Sequence, residues 1–236
     1  MNFSGKHVVV TGGTGALGSA VVGLLIAGGA HCTVPYRREA EAQRFAHRGH
    51  ARLTLIAAGD LADEAAVAAL YGGIAPGAAL WASIHIAGGF ATGTVADTGK
   101  AALMAQIDGN LVSCFLCCRA AVRAMLAAGS GGRIVNVASR QALEPRIGAG
   151  LTAYTIAKSG VATLTMALAE EVAKDGILVN AVAPSIMDTP ANRQAMPKAD
   201  VDTWPKVEEV AATILFLASS DNTVTRGAVV PVYGKA

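Results

Sequence analysis

Short apolar segments rich in β-branched residues alternate with longer alanine-rich segments along the whole chain. This alternation is typical of a parallel sheet covered by helices, because each parallel connection needs a crossover of helix length. We therefore expect an α/β fold with one doubly wound parallel sheet of about seven strands and helices on both faces. The predicted strands are His7–Thr11, His31–Pro35, Leu53–Ala57, Trp81–Ile86, Arg133–Ala138, Ile177–Ala183 and Ala228–Val232.

The segments between these strands have helical character, and no Pro/Ser linker, charge block or internal repeat interrupts them. The predicted helices are Ala16–Ala27, Glu39–Ala46, Asp63–Tyr71, Ala101–Ala128, Ala153–Lys174 and Val207–Ser219. We expect residues 1–236 to form a single domain. The region 184–205 is proline-rich and aperiodic, which predicts a long loop that closes over a ligand.

The composition excludes several classes of partner. The net charge of +2 comes from 19 basic and 17 acidic residues spread along the chain, so no basic field for nucleic acid or anionic lipid is expected. The apolar stretches are shorter than a bilayer span, and the first residues lack the features of a secretory signal. We therefore expect a cytoplasmic protein without a nucleic-acid or membrane partner.

The four cysteines are Cys32, Cys114, Cys117 and Cys118, and the last three fall within one predicted helix. This layout is poor for a disulfide framework and favours a reducing compartment. A metal site on Cys114, Cys117 and Cys118 would need a further ligand and a geometry that one helix cannot easily supply. We therefore expect packing cysteines and no metal.

A glycine-rich turn follows the first strand and precedes a helix. Glycines in this context let the backbone approach a pyrophosphate, and the helix N-terminus favours the phosphate charge. The alternative is an ordinary tight turn between a strand and a helix. The predicted cofactor contacts here are Gly12, Thr14, Gly15, Ala16, Leu17 and Gly18.

The second strand ends in Tyr36, Arg37 and Arg38, where a dinucleotide fold meets the adenosine ribose. A carboxylate there would bind the ribose hydroxyls of NAD and repel a 2′-phosphate, whereas arginine attracts that phosphate. We therefore expect NADP(H) to be favoured over NAD(H), with Arg37 as the main contact. The alternative is a solvated helix start.

Two further strand ends offer cofactor contacts. Asp60 and Leu61 follow the third strand, where the carboxylate can accept from the adenine amino group or cap the next helix. Ala87 and Gly88 follow the fourth strand, and their small side chains leave room for a ribose against the backbone.

Tyr154 and Lys158 lie four residues apart, which places a phenol and an ammonium on one helical face. A nearby ammonium favours the phenolate and so lowers the tyrosine pKa toward neutral pH. Ser139 ends the fifth strand, at the sheet edge where ligands bind. Asn110 lies mid-helix, where the alternative is a simple exposed or back-bonded asparagine.

Together, Thr11-Gly12-x-x-x-Ala16-x-Gly18, Asn110, Ser139 and Tyr154-x-x-x-Lys158 resemble the short-chain dehydrogenase/reductase family in order and spacing. The resemblance covers nearly the whole chain, including Val179–Pro184. It implies a Rossmann-type sheet and hydride transfer between a nicotinamide and a small carbonyl or alcohol. A ketone reductase is expected, with 3-oxoacyl substrates as one option.

The resemblance also implies residue roles. Tyr154 would protonate the carbonyl oxygen, Ser139 would hold it, and Lys158 would bind the nicotinamide ribose and lower the tyrosine pKa. Asn110 would anchor a water, and Thr189 would contact the carboxamide. Pro184 and Ile186 would complete the cofactor contacts. Members of the family usually pair through the two long helices, so a homodimer or homotetramer is expected.

Several departures from the family weaken any transfer of the substrate. His85-Ile86-Ala87-Gly88 replaces Asn-Asn-Ala-Gly, so the asparagines that brace the central strands are missing. The separation of Ser139 from Tyr154 is slightly long, which implies an enlarged loop through residues 144–146. The expected pocket lining is mainly apolar, with Phe90, Arg146, Met187 and Trp204 as candidates.

Two alternative functions remain open. Residues 87–90 and 188–200 are locally similar to dihydropteridine reductases, which makes a pterin or another cyclic imine the alternative substrate. A function of another class, a non-catalytic NADP-binding sensor or scaffold, is compatible with the same fold. A broken catalytic tetrad would indicate it, whereas all four positions are intact here.

Overall fold

A computed structural model describes residues 1–74 and 79–235. Seven strands form one sheet in the order β3-β2-β1-β4-β5-β6-β7, and every pairing is parallel. The expected doubly wound parallel sheet is confirmed. The strands are β1 His7–Thr11, β2 His31–Tyr36, β3 Leu53–Ala57, β4 Leu80–His85, β5 Gly132–Val137, β6 Ile177–Pro184 and β7 Val229–Val232.

Helices cover both faces of the sheet. The helices are α1 Ala16–Ala27, α2 Glu39–Arg44, α3 Glu64–Gly72, α4 Lys100–Gln106, α5 Ser113–Ala128, α6 Arg140–Leu143, α7 Thr152–Glu171, α8 Pro190–Ala195 and α9 Val207–Ala218. One core lies between the sheet and α1 and α9, and the other lies between the sheet and α3, α5 and α7.

The central strands are buried on both faces, which explains their unbroken apolar sequences. In β1, Val8 and Val10 belong to one core whereas Val9 belongs to the other, as the alternation of side chains along a strand requires.

The chain winds outward from β1 to β2 and β3, and then returns to place β4 on the other side of β1. The carboxyl ends of β1 and β4 therefore form the switch point at which open α/β sheets bind ligands. Gly12 ends this side of β1 with a φ of 67°. A Cβ on Gly12 would lie 2.6 Å from the Ala87 backbone nitrogen, so no larger residue fits.

His85 stands where the family has an asparagine, and it makes a different contact between the two central strands. The His85 Nδ1 group donates to Asn136 Oδ1 across β4 and β5 at 2.8 Å. Asn136 Nδ2 in turn donates to Thr165 Oγ1 of α7 at 2.9 Å. The two central strands and α7 are thus joined by a buried hydrogen-bond chain.

The segment 184–205 is more regular than the expected loop. It contains α8 and a short 3-10 turn, Val201–Thr203. Thr189 caps α8 by accepting a hydrogen bond from the Asn192 backbone N–H at 3.2 Å, and the Arg193 guanidinium pairs with Asp188 at 2.6 Å. The helix forms although the segment is rich in proline. Thr189 caps it, and Pro190 occupies its first turn, where proline is tolerated.

The helical stretch Lys100–Ala128 has the length and composition of a membrane span, with a mean hydropathy of 1.7 over its most apolar window. A six-residue π-helical turn, Ile107–Val112, joins α4 to α5 within it. In this fold α5 packs against β4 and α3, and a core helix passes the same test of length and composition.

Candidate active site

A cavity of about 700 Å³ opens at the carboxyl ends of β1 and β4. Its volume lies in the range typical of ligand sites. The predicted cofactor residues that line it are Gly12, Thr14, Gly15, Ala16, Leu17, Gly18, Tyr36, Arg37, Arg38, Asp60, Leu61, Ala87 and Gly88. The glycine turn, the end of β2, the β3 loop and the end of β4 therefore meet at one cavity.

Other lining residues were not predicted as cofactor contacts. They are Pro35, Glu41, Gly59, Ile86, Gly89, Ala105, Gly109, Ser113 and Met187. Gly109 lies in the π-helical turn, and Ser113 follows it directly. A helical period of 3.6 residues therefore could not predict that these two residues line the cavity. Met187 was predicted for the substrate pocket.

The glycine turn is packed so tightly that its small residues are structural requirements. A Cβ on Gly18 would overlap the Gly12 carbonyl oxygen and lie 2.5 Å from the Gly13 Cα. Gly15 caps α1 in an extended conformation, and its N–H donates to Gly12 O at 3.1 Å. The start of α1 is thereby held against the cavity floor, where its dipole favours negative charge.

The adenosine end of the cavity carries charges of both signs. Arg38 Nε lies 2.7 Å from Glu41 Oε1, and the Tyr36 hydroxyl donates to Glu39 at 3.0 Å. The Arg37 side chain is exposed at the rim, and its backbone N–H donates to the Glu41 carboxylate at 3.2 Å. Arg38 is thus already paired, which leaves Arg37 as the better placed cation.

Asp60 does not cap the following helix. Asp63 caps α3 by accepting from the Ala65 N–H at 2.8 Å, whereas Asp60 accepts from the Ala62 N–H at 3.0 Å in the turn before it. The capping alternative for Asp60 is therefore wrong, and its carboxylate lies at the cavity wall.

Ser139, Tyr154 and Lys158 come together beyond the cavity end formed by Gly88 and Gly89. Ser139 follows β5, and the other two residues lie on α7. The Ser139 Oγ is buried without a hydrogen-bond partner among the described residues. A buried hydroxyl of this kind is costly unless a ligand satisfies it.

The Tyr154 phenol is not activated by Lys158 in this structure. Burial raises the pKa of Tyr154, and the facing Ser139 hydroxyl lowers it by a smaller amount. Lys158 Nζ donates to the Val137 carbonyl at 2.7 Å and lies 6.0 Å from the tyrosine ring centroid. The expected lowering of the Tyr154 pKa by Lys158 is therefore not found, because the ammonium is directed to the strand.

Burial lowers the pKa of Lys158 from 10.5 to about 8, and the nearby Cys114 works in the opposite direction. The unfolded chain therefore binds more protons than the folded chain between these two values. The free energy of unfolding should increase with pH across that window, by up to about 1.4 kcal/mol per pH unit. At pH values below about 8 the buried Lys158 is charged, and the full cost of burying this charge lowers the free energy of unfolding.

Chemical denaturation of the wild type and of Lys158→Met, measured across this pH window, isolates the effect. The variant keeps the length of the side chain but cannot titrate. We expect the wild type to gain stability relative to Lys158→Met as the pH rises. If the free energy of unfolding depended on pH in the same way in the two proteins, the lowered pKa of Lys158 would be contradicted.

Asn110 is buried, so the alternative of an exposed side chain is wrong, whereas the alternative of a back-bonded side chain is found in its bond to Gln106 O, four residues earlier in the helix. Its Nδ2 donates to Gly89 O and to Gln106 O, both at 3.0 Å, and its Oδ1 accepts from Gly89 N at 3.2 Å. Asn110 lies in the π-helical turn, a geometry often found at functional sites. It fixes the loop after β4 against the helix.

The remaining predicted site residues lie around this cluster. Pro184 ends β6, Ile186 is exposed beyond it, and the Thr189 hydroxyl caps α8. The cavity wall includes none of the following predicted site residues: Pro184, Ile186, Thr189, Tyr154 and Lys158. Among the predicted pocket residues, Trp204 and Arg146 are likewise absent from that wall, and Trp204 is buried.

Phe90 covers the catalytic tyrosine candidate from the solvent side. Its ring packs edge-to-face against Tyr154 at a centroid distance of 5.1 Å, and the side chain is 63% exposed. The Phe90 ring therefore partly covers the Tyr154 ring while most of its own surface stays exposed.

Comparison with known proteins decides the family. The model of a family described as short chain dehydrogenase matches residues 6–200. The chain belongs to this family. Short-chain dehydrogenases and reductases act on alcohol and carbonyl groups, and this chain is therefore an oxidoreductase of that type.

The chain is 36% identical to galactitol 2-dehydrogenase of Rhizobium johnstonii, over 98% of this chain and 94% of the relative. It is 34% identical to the 2-dehydro-3-deoxy-L-rhamnonate dehydrogenase (NAD(+)) of a Sphingomonas species, over 94% of this chain and 92% of that one. A solved structure described as ElxO with NADP bound superposes with a TM-score of 0.89 at 25% identity and covers 97% of each chain.

Proposed function

We propose that this short-chain dehydrogenase is an NADP(H)-dependent reductase of small ketones, and a dehydrogenase of the corresponding alcohols, with Tyr154 as its proton donor. The observation that carries the proposal is the buried Ser139 hydroxyl that faces the Tyr154 phenol beyond the glycine-lined cavity. A carbonyl oxygen between the two hydroxyls would satisfy both.

The cavity supports a nicotinamide dinucleotide. A Cβ on Gly12 or Gly18 would collide with backbone, and a Cβ on Gly88 would lie 2.5 Å from Asn110 Oδ1. These positions keep the wall flat for a ligand pressed against the main chain. When bound, the cofactor supplies or accepts the hydride.

The residues of the chain then handle the proton and the substrate oxygen. Ser139 donates to the carbonyl oxygen and holds it within reach of Tyr154. Because burial raises its pKa, Tyr154 is protonated at neutral pH and able to give its proton to the developing alkoxide. We expect Lys158 to turn from Val137 O toward the cofactor ribose, and Asn110 to support the relay through the loop after β4.

The preference for NADP(H) rests on Arg37. Its exposed guanidinium stands at the adenosine end, whereas Glu41 on the same wall is already engaged by Arg38. ElxO was solved with NADP, while the Sphingomonas relative is named for NAD(+), so relatives of both kinds exist. We propose that Arg37 selects the 2′-phosphate.

Replacing Arg37 with aspartate should remove the preference for NADPH. We expect the ratio of NADPH to NADH affinity to fall at least about tenfold, because a bidentate cation is lost and a repelling carboxylate is gained. Fluorescence titration of the reduced nicotinamides measures it. Arg44→Asp is the matched control, since Arg44 lies exposed on α2 outside the cavity wall. An unchanged ratio in Arg37→Asp would remove Arg37 from cofactor selection.

The substrate class is proposed as small polar ketones and secondary alcohols, because relatives are named for galactitol and for a deoxy sugar acid. The assay is turnover of hexitols, ketoses, sugar acids and a 3-oxoacyl thioester with each cofactor. Quinonoid dihydropterin belongs in the same panel. Turnover of the pterin alone, with NADH preferred, would favour the cyclic-imine alternative, and cofactor binding without any turnover would favour a sensor.

We further propose a cytoplasmic, single-domain protein that assembles into a homodimer or homotetramer. Exposed apolar side chains on the two long helices support pairing: Met104 and Phe115 on α4 and α5, and Ile156 and Met166 on α7. Light scattering of the purified chain measures the assembly, and a monomer at micromolar concentration would contradict it.

A further inference from the structure

Three side chains of the types that bind metal ions lie together behind the candidate active site. The ligand atoms of His85, Cys114 and Cys118 all fall within 4.8 Å of one another, and all three residues are buried. His85 Nδ1 lies 3.5 Å from Cys118 Sγ. The proposed reaction uses none of these three side chains.

The cluster joins two elements of the fold, which the sequence could not reveal. Cys114 and Cys118 lie one turn apart on α5, and His85 ends β4. Cys117, by contrast, is directed toward Tyr71 and is not part of the cluster. A third donor from the sheet removes the objection that one helix cannot surround a metal.

We propose that His85, Cys114 and Cys118 form a binding site for a thiophilic divalent cation such as Zn²⁺. Zinc–sulfur and zinc–nitrogen bonds of ~2.3 and ~2.0 Å place two donors of a tetrahedral site about 3.5 Å apart. The separation between His85 Nδ1 and Cys118 Sγ matches this value. The Asn136 Oδ1 oxygen, 2.8 Å from His85 Nδ1 and 3.5 Å from Cys118 Sγ, lies beside the fourth position.

The neighbours of His85 already hold the ring in the required orientation. Its Nε2 is 2.8 Å from Ser83 Oγ and 3.3 Å from the Tyr71 hydroxyl, so that Nδ1 lies on the side of Cys118 Sγ and Asn136 Oδ1. An Nε2–H that donates to Ser83 leaves the Nδ1 lone pair for a metal, the arrangement that orients histidine ligands in metal sites. Binding therefore moves the ring proton from Nδ1 to Nε2.

The charges balance when the ion enters. Each sulfur bonds to the cation as a thiolate, so one proton leaves for each thiol that was protonated before the ion entered, and no electrons are transferred. Two thiolates neutralise the cation, and the filled site carries no net charge. A neutral site is compatible with complete burial and with the neighbouring Lys158 ammonium.

Titration of the reduced, chelator-treated protein with Cd²⁺ tests the site. Ultraviolet absorption follows the thiolate-to-cadmium band, a pH indicator counts released protons, and thermal unfolding reports stabilisation. We expect one ion per chain, release of about one to two protons and a rise in Tm. The test is made on the free protein without substrate or cofactor, so it does not depend on the proposed function.

The variants Cys114→Ser and Cys118→Ser should each lose the absorption band and bind at least about tenfold more weakly, and His85→Asn should weaken binding similarly. Asparagine at position 85 follows the family pattern, so this variant is expected to fold, and circular dichroism verifies folding of all three. Cys32→Ser and Cys117→Ser are the matched controls and should bind like the wild type. Absence of the band in the wild type, or an equal band in Cys114→Ser and Cys118→Ser, would overturn the proposal.

Discussion

Tyr154→Phe lowers kcat for ketone reduction by about 10²- to 10⁴-fold, the contribution typical of a positioned proton donor. The phenyl ring keeps the edge-to-face contact with Phe90, so the local packing survives. Only the hydroxyl that faces Ser139 is lost. Because Tyr154 lies outside the cavity wall, NADPH affinity should change little. Steady-state kinetics and cofactor titration on the same preparation separate the two effects.

Tyr233→Phe is the matched control for that substitution. It removes a phenol elsewhere in the chain while keeping the ring on which the Arg140 guanidinium stacks at 4.8 Å. We expect it to turn over at a rate near that of the wild type. Wild-type turnover by Tyr154→Phe, or an equal loss in both variants, would rule out Tyr154 as the specific proton donor.

Gly18→Ala disrupts the start of α1 and with it the cofactor site. The added Cβ would overlap the Gly12 carbonyl oxygen, a backbone atom that cannot move without displacing the glycine turn. We expect a loss of about 3 kcal/mol of stability from this overpacking. For a chain of this size that corresponds to a fall in Tm of roughly 6–12 °C. NADPH binding should be lost as well, because the displaced turn forms the cavity floor.

Gly72→Ala provides the control for a glycine in a helix. Gly72 ends α3, and a Cβ there would meet no atom of residues 1–74 and 79–235 within 4 Å. Alanine should therefore leave the Tm unchanged or raise it slightly. Calorimetry of both variants makes the comparison. An equal Tm for Gly18→Ala and the wild type would contradict the close packing of the glycine turn.

The sheet could be predicted closely from the sequence because its central strands are buried on both faces and are therefore apolar throughout. The bounds of β1 and β3 agree with the prediction, and the other strands differ by one residue at one or both ends. A short helix that depends on a capping residue was harder to predict. The helix α8 was missed because its proline content hid a Thr189 cap, which acts only once the chain has turned.

The site was predictable where a motif fixes the backbone and less so where distant elements meet. The glycine turn, the end of β2 and the end of β4 were all found, and they line one cavity. Glu41 was missed because it reaches the wall from α2. The cluster of His85 with Cys114 and Cys118 depends on how α5 lies on β4, which the linear sequence does not reveal.

The spacing of Tyr154 and Lys158 illustrates the limit of one-dimensional reasoning. Four residues place both side chains on one helical face, but the face does not decide which partner the ammonium takes. In the structure Lys158 donates to Val137 O, and burial dominates the pKa of the tyrosine.

Titration of the intact wild-type chain with NADPH and NADH, followed by nicotinamide fluorescence, tests the central claim most directly, because it needs no knowledge of the substrate. We predict saturable binding of one NADPH per chain, at least about tenfold tighter than NADH, or roughly 1.4 kcal/mol. Absence of saturable binding for both nucleotides would contradict the assignment of this cavity as a nicotinamide site.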